Sequence, residues 1–273
     1  MKYKTIQSKS YLPVEIAYIW CEGICEKGNV RAQNEDYIFL DKQGKYVLLA
    51  DGIGGHEKGH IASKSAISTI KSILRKKNII KKELKDNTHE EDLPIEIIRL
   101  SAIVEKAVAK ANAKIYKKNQ NLIIEKRMGT TIVGAIFNEG GNILWFHIGD
   151  SRIYRYRNSI LGCLTVDHSA YMDWIAKNDI FTDTPNRNII TKAIGIEEDI
   201  SVDINWGRVK NNDIYILCSD GIYDVLNDCQ ISEIVSSSNN YKNISNLLIS
   251  TAIDAGSRDN LSVIVCMIKY IYN

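Results

Sequence analysis

Hydrophobic and polar positions change period twice along the chain. Residues 14–20 alternate in part and are rich in β-formers. Residues 37–40 and 46–50 flank the polar turn Lys42-Gln43-Gly44-Lys45, which predicts a hairpin. The period then lengthens to that of a helix. Ile61, Ala66, Ile67, Ile70 and Leu74 predict a helix over 61–75. Ile97, Val104, Ala107, Val108, Ala111 and Ile115 predict a longer one over 94–118, with Pro94 suited to its first turn. The charged stretch 76–93 between them reads as an exposed connection. Alternation returns at 131–138 and 142–148, a hairpin about Glu139-Gly140-Gly141, and at 152–157 and 159–165, a hairpin turning at Asn158. Further strands are predicted at 202–209, 214–217 and 261–271, and short helices at 170–178, 228–236 and 244–255. Strands joined by hairpins place the chain in the α+β class. About ten strands would strain one open sheet, so two packed sheets with helices outside are expected.

Composition narrows the function classes without choosing one. The 273 residues contain three prolines, no Gly/Ser linker and no repeat, so a single domain over 1–273 is expected. A content of 45% hydrophobic and 25% charged residues excludes a disordered tail protein and a small disulfide scaffold. Lys plus Arg is 35 and Asp plus Glu is 33, a net charge of +2 that gives no support for nucleic acid as a partner. Six cysteines suggest reduced thiols. Neither an apolar run of membrane-spanning length nor an apolar signal core at the N-terminus is present, so a cytoplasmic protein without a membrane partner is expected.

One chemical pattern recurs. Apolar strand patterns run into Asp51-Gly52, Asp150-Ser151 and Asp220-Gly221, Asp259-Asn260 stands before the last strand, and Glu35-Asp36 precedes an early one. Turn chemistry alone explains Asp-Gly in a hairpin. It fits Asp51 poorly, because no strand follows, and Asp220 poorly, because a short helical segment follows. Aspartates at strand ends can converge on one edge of a sandwich. Clustered carboxylates repel one another unless a cation neutralises them. Oxygen donors with few histidines favour Mg²⁺ or Mn²⁺ over Zn²⁺. Two such ions about 4 Å apart can activate a water and clamp a phosphoryl group.

The run Gly28-Asn29-Val30-Arg31-Ala32-Gln33-Asn34-Glu35-Asp36 resembles the opening element of the metal-dependent protein phosphatases, the type 2C or PPM family. Asp51-Gly52-Ile53-Gly54-Gly55-His56 is similar to that family's bacterial DGMGGH element. Met128-Gly129-Thr130-Thr131, Gly149-Asp150-Ser151-Arg152, Asp167-His168-Ser169, Ser219-Asp220-Gly221 and Ser257-Arg258-Asp259-Asn260 follow in the family's order. The resemblance covers about residues 14–270 and leaves 1–13 as an N-terminal extension. It implies a four-layer αββα sandwich of two mostly antiparallel sheets between helix pairs, and hydrolysis of phosphoserine and phosphothreonine in proteins by a metal-activated water. It implies two or three Mn²⁺ or Mg²⁺ ions. Asp51 would bridge two of them, the Gly52 carbonyl would bind one of these, Asp220 and Asp259 would hold the other, and Asp150 with Asp220 the third. Asp36, with Glu35 and Asn260 beside it, would act behind these ligands through water. Arg31 would bind the substrate phosphate, a task suited to a fork-shaped guanidinium. Some branches carry a histidine two residues after the bridging aspartate; here that position is Ile53, and His56 is the candidate general acid. Expected partners are phosphorylated proteins and an opposing Ser/Thr protein kinase, with the protein itself a monomer.

Other readings compete. Cys25-Glu26-Lys27-Gly28-Asn29-Val30-Arg31 fits the loop of cysteine-dependent phosphatases, which needs a low-pKa thiolate and a following helix. His56-Glu57-Lys58-Gly59-His60 fits a zinc peptidase, which needs both histidines on one helical face; the family usually has Glu where His60 stands. A catalytically silent phosphoprotein-binding module would be marked by lost metal aspartates, yet Asp51, Asp220 and Asp259 are all present. Ser151 is read as a turn residue, Trp20, Trp145 and Trp206 as core, and His147 and His168 as structural hydrogen-bonders; the resemblance implies a variable flap over 169–187, which Trp174 is expected to anchor.

Overall fold

The computed structural model describes residues 5–12, 17–54, 58–76, 94–177, 183–238 and 241–270. The strands among them are β1 (Thr5–Leu12), β2 (Ala17–Glu26), β3 (Tyr37–Leu40), β4 (Tyr46–Ala50), β5 (Gly52–Gly54), β6 (Met128–Thr130), β7 (Ile132–Phe137), β8 (Asn142–Ile148), β9 (Arg152–Arg157), β10 (Ile160–Cys163), β11 (Asp203–Arg208), β12 (Ile214–Cys218) and β13 (Leu261–Tyr270). The α-helices are α1 (Gly59–Lys76), α2 (Ile95–Asn119), α3 (Ala170–Lys177), α4 (Asp220–Tyr223), α5 (Asp228–Ser237) and α6 (Ile244–Asp254).

Strand β4 shows why there are two sheets. Its five residues are all buried, so it has no solvent side. Val47 and Leu49 point one way, into a core shared with Ile19, Cys21, Leu217 and Ile264. Tyr46, Leu48 and Ala50 point the other way, onto Ala66, Ile70, Val104 and Ala111 of the two long helices. Strand β13 alternates likewise: Ile264, Cys266 and Ile268 face the inter-sheet core. Val263 and Val265 face Ile222, Ile231, Leu248 and Ile249. The layers are therefore α1 and α2, then a sheet ordered β11-β8-β7-β4-β3, then a sheet ordered β1-β2-β13-β12-β9-β10, then α4 to α6. Pairing is antiparallel throughout both sheets. This is the four-layer αββα sandwich implied by the resemblance.

The two long helices and the 131–165 hairpins lie within a residue or two of their sequence-predicted bounds. Asn158 and Ser159 turn the second hairpin with φ of 52° and 61°, the handedness a two-residue hairpin requires. Three elements carry too little periodic signal to be read. Residues 5–12, read as an extension, form the edge strand β1, and β5 and β6 pair as three-residue strands. The four-residue helix α4 begins at Asp220 itself. The stretch 76–93 lies outside the described residues apart from Lys76, the last residue of α1.

A buried ion pair ties the sheets' far end. Asp213 is fully buried and accepts from Arg157 Nε at 2.7 Å and Nη2 at 2.6 Å, from the Lys210 N–H at 2.7 Å and from the Tyr215 hydroxyl at 3.1 Å. Removing one partner of such a pair leaves an uncompensated charge. Arg157→Ala should lower the unfolding free energy in urea by about 3 kcal/mol; a loss below about 1 kcal/mol would mean that Asp213 is satisfied without it.

Candidate active site

Sheet register gathers the aspartates. Tyr37 lies opposite Ala50, so Asp36, just before β3, stands beside Asp51, just after β4. Cys218 lies opposite Val263, which brings Asp220, just after β12, towards Asp259, just before β13. The approach there is so close that a Cβ on Gly221 would fall 2.0 Å from the Asn260 carbonyl oxygen, which is why glycine follows Asp220. Strand β8 delivers Gly149 and Asp150 to the same edge. Ser219 donates to Asp36 Oδ2 at 2.9 Å, and the Ser262 N–H donates to Ser219 Oγ at 3.1 Å, so the carboxylates of one sheet are tied to the strands of the other.

The electrostatic consequence is mutual destabilisation of negative charge. Burial pushes the Asp51 carboxyl well above its usual range, with further contributions from Asp36, Asp220, Asp150 and Asp259. Asp220 is raised by burial and then by Asp150, Asp259 and Asp36. Asp36 is pushed up to about 6, chiefly by burial, and Asp150 to about 6 by burial and Asp167. Oδ1 of Asp36 and Oδ1 of Asp220 are buried and have no hydrogen-bond partner. Buried, unpartnered carboxylate oxygens among mutually repelling carboxylates are the donor chemistry a hard divalent cation takes. The residues present therefore fit Mn²⁺ or Mg²⁺.

Hydroxyl and amide side chains brace the carboxylates. The Asp51 N–H donates to Thr131 Oγ1 at 2.9 Å, and the Asp51 carbonyl accepts from Thr130 Oγ1 at 2.8 Å and the Thr131 N–H at 2.8 Å. Ser151 Oγ is hydrogen-bonded to Thr131 Oγ1 at 2.7 Å, so it supports this turn. Tyr223 donates to the Asp150 carbonyl at 3.0 Å. Gly52 is buried and pairs with Thr130 across β5 and β6. Thr130 and Thr131 were visible as a motif, but nothing local said what they hold. Tyr223 carried no signal.

The remaining expected residues divide. Arg31 is exposed and its Nη2 sits 2.5 Å from Asp259 Oδ2 at the mouth of the cluster. Asn260 accepts from the Glu35 N–H at 2.9 Å and donates to the carbonyls of Lys27 at 2.9 Å and Gln33 at 3.0 Å, pinning the loop that carries Arg31. Glu35 turns to the start of α1, where Oε1 accepts from the Gly59 N–H at 2.8 Å. His56 lies outside the described residues.

The competing motifs fare differently. Burial and the charge of Asp36 push the Cys25 thiol up to about 12, opposite to an activated thiolate, and the segment after Arg31 enters β3 and no helix. Of the peptidase motif, His60 lies in the first turn of α1, while His56 and Glu57 lie outside the described residues. His147, His168 and Asp203 offer ligand atoms within 4.8 Å of one another. Each has other work. His147 Nε2 faces the Val166 carbonyl at 2.8 Å. His168 Nδ1 accepts from the Gly149 N–H at 3.0 Å, which leaves the proton of the neutral ring on Nε2. The two rings stack at 4.7 Å, and Asp203 pairs with Lys192 at 3.2 Å. Both rings thus make hydrogen bonds to the main chain, while Nδ1 of His147 is buried without a partner.

Comparison with known proteins gives one family. The family model described as protein phosphatase 2C matches residues 29–246. The serine/threonine phosphatase stp of Listeria monocytogenes is 27% identical over 247 residues, covering 88% of this chain and 92% of the relative. Protein phosphatase PhpP of Streptococcus pneumoniae is 28% identical over 249 residues, covering 88% and 94%. Among solved structures, the Mycobacterium tuberculosis serine/threonine phosphatase PstP/Ppp superposes with a TM-score of 0.75 at 26% identity, covering 92% of this chain and 99% of that one. The catalytic domain of PstP in complex with two manganese ions gives 0.73 at 26% identity, covering 93% and 99%.

The raised carboxyls set a sign. Each favours its proton in the metal-free fold, so it contributes stability below its unfolded value near 4 that is lost as pH rises through about 6 for Asp36 and Asp150. The rise in melting temperature produced by Mn²⁺ over EDTA should therefore be larger at pH 8 than at pH 5. Burial lowers His147 and His168, an effect of opposite sign, but it is common to both samples and cancels in the difference. A Mn²⁺-induced rise that does not depend on pH would count against these carboxylates as the ligands. Cys25→Ser should leave Mn²⁺-dependent turnover intact; its loss would revive the thiolate chemistry.

Proposed function

The chain belongs to the protein phosphatase 2C family, and from that premise we propose the roles of its site residues in a metal-dependent protein serine/threonine phosphatase. The observation that carries the reading is the convergence of Asp36, Asp51, Asp150, Asp220 and Asp259, with unpartnered oxygens on Asp36 and Asp220. Asp51 and the Gly52 carbonyl, with Asp220 and Asp259, would hold two Mn²⁺ or Mg²⁺ ions, and Asp150 with Asp220 would hold a third. The ions supply the positive charge that lowers the pKa of a water and neutralises the phosphoryl oxygens.

The chain's own residues do the rest. Asp36, fixed by Ser219, orients water from behind the ligands. Glu35 and Asn260 fix the loop on which Arg31 rides. Arg31 pairs with Asp259 here; with that carboxylate committed to a cation, its guanidinium would be released to receive the substrate phosphate with two parallel N–H donors. The pairing is exposed and therefore weak, so this exchange costs little. His56 remains the candidate to protonate the leaving alkoxide. The substrates are phosphoserine and phosphothreonine proteins, set against a Ser/Thr protein kinase. The whole of 1–273 acts as one domain, a cytoplasmic monomer without nucleic-acid or membrane partners; no helix among the described residues is long and apolar enough to cross a membrane.

Hydrolysis of p-nitrophenyl phosphate and of a phosphothreonine peptide should require Mn²⁺ or Mg²⁺ and stop in EDTA. Asp220→Ala and Asp259→Ala should each lose roughly 100-fold or more in kcat while circular dichroism stays native. Wild-type rates in either would show that the ligand assignment is wrong. Mn²⁺ binding without any phosphoester cleavage would favour the silent binding module.

A further inference from the structure

Beside the carboxylates lies a groove of different chemistry. Residues 188–200 and β5 enclose a cavity of about 220 Å³ walled by Ile53, Ile190, Ala193, Ile196 and Ile200. Ile196 is 37% exposed, and the neighbouring Ile189 is 52% exposed. Asn188, Thr191, Lys192 and Glu197 complete the lining, and Lys192 is engaged with Asp203 at 3.2 Å, so the groove combines an aliphatic wall with polar residues and offers no uncommitted cation. Ile53 stands two residues after Asp51, a distance along an extended chain of at most about 7 Å. The Ile53 end of the groove therefore starts within that distance of Asp51.

Its wall is built before any ligand arrives. The Thr130 N–H donates to the Ile194 carbonyl at 3.1 Å and the Ile194 N–H returns a bond at 2.9 Å. Two buried amides of α2 hold the next turn. Asn112 accepts from the Gly195 N–H at 2.6 Å and donates to the carbonyls of Glu197 and Glu198, and Asn119 donates to the Gly195 carbonyl at 2.7 Å. Gly195 has φ of +96°, and a Cβ there would fall 2.3 Å from Ile115, so the turn admits glycine alone. Ile196 is thereby laid over Gly129 of β6, the strand paired to β5. A rigid apolar wall left open to solvent next to a reaction centre is a specificity device, because preorganisation spares the ordering cost on binding.

We propose that this groove receives an apolar side chain of the phosphoprotein substrate about two residues from the phosphorylated serine or threonine, with Ile53 and Ile196 as specificity-determining residues. The proposal rests on the phosphatase reading and adds a substrate class to it: sites flanked by Leu, Ile, Val or Met. An extended peptide advances about 3.3 Å per residue, so its second neighbour lies about 7 Å from the phosphoresidue, the same reach that separates Ile53 from Asp51 along the chain. An aliphatic side chain there exchanges water for the isoleucine wall, and an aspartate would be desolvated without a partner.

The test uses the Mn²⁺-loaded full chain and pairs of phosphothreonine peptides that differ only in Leu or Asp two residues before or after the phosphothreonine. Leu should be favoured roughly tenfold in kcat/KM on one side, through KM and not kcat. Ile196→Ser should abolish most of that preference without changing p-nitrophenyl phosphate turnover. Ile196→Lys should shift the preference towards the Asp peptide. Equal use of Leu and Asp by the wild type, or a preference that survives Ile196→Ser, overturns the proposal, as does a fall in melting temperature with unchanged selectivity, which would make Ile196 a packing residue only. Absence of any Mn²⁺-dependent hydrolysis of p-nitrophenyl phosphate overturns the phosphatase reading as well, so the two failures are distinguishable.

Discussion

Five buried or half-buried carboxylates converging on one sheet edge constrain everything around them. Each raises the cost of ionising the next, and burial adds to that cost. A fold that brought them together without compensation would lose stability as they ionise. Divalent cations reverse the balance, because the same low dielectric that penalises an isolated carboxylate strengthens its attraction to a metal. The cluster is thus a liability in the metal-free protein and the source of its chemistry when loaded.

The surrounding structure is arranged to hold that cluster in place. Neutral hydroxyls and amides, which cannot satisfy the charge themselves, brace the turns behind it: Thr130, Thr131 and Ser151 behind Asp51, Ser219 behind Asp36, and Tyr223 behind Asp150. Asn260 ties the loop of Arg31 to the last strand. The donors go to the main chain and to Oδ2 of Asp36, leaving Oδ1 of Asp36 and of Asp220 buried without a partner. On the opposite side the amides Asn112 and Asn119 do for the aliphatic groove what the hydroxyls do for the carboxylates. Thr130 joins the two, bonding the Asp51 carbonyl through its hydroxyl and Ile194 through its main chain.

Much of this was legible in the sequence. Period 3.6 at Ile97 to Ile115 identified α2, and glycine-bearing turns located the hairpins. The recurrence of Asp after apolar strand patterns pointed to the site. Less could be read where local signal was weak. Strand β1 is a solvent-facing edge whose described side chains are mostly polar, and three-residue strands such as β5 and β6 have no measurable period. The motif Cys25 to Arg31 is indistinguishable by spacing from a thiolate loop, and burial beside Asp36 together with the strand that follows removes that reading. Glu35 sits next to Asp36 in sequence, yet one caps α1 while the other points into the cluster, since adjacent residues of an extended chain face opposite ways.

The sequence by itself determined the class of fold, the order of its elements, the identity of the acidic residues and the family they resemble. These depend on contacts between residues a few positions apart, or on short motifs. The tertiary structure alone decided which aspartates see one another, that Arg31 lies across from Asp259, 228 residues away, and that Ser219 reaches Asp36 over 183. It also decided that an aliphatic groove opens beside the carboxylates. Such pairings are set by the register between strands that meet only when both sheets have formed. Because one step of register turns a side chain to the other face, no local pattern could have specified them.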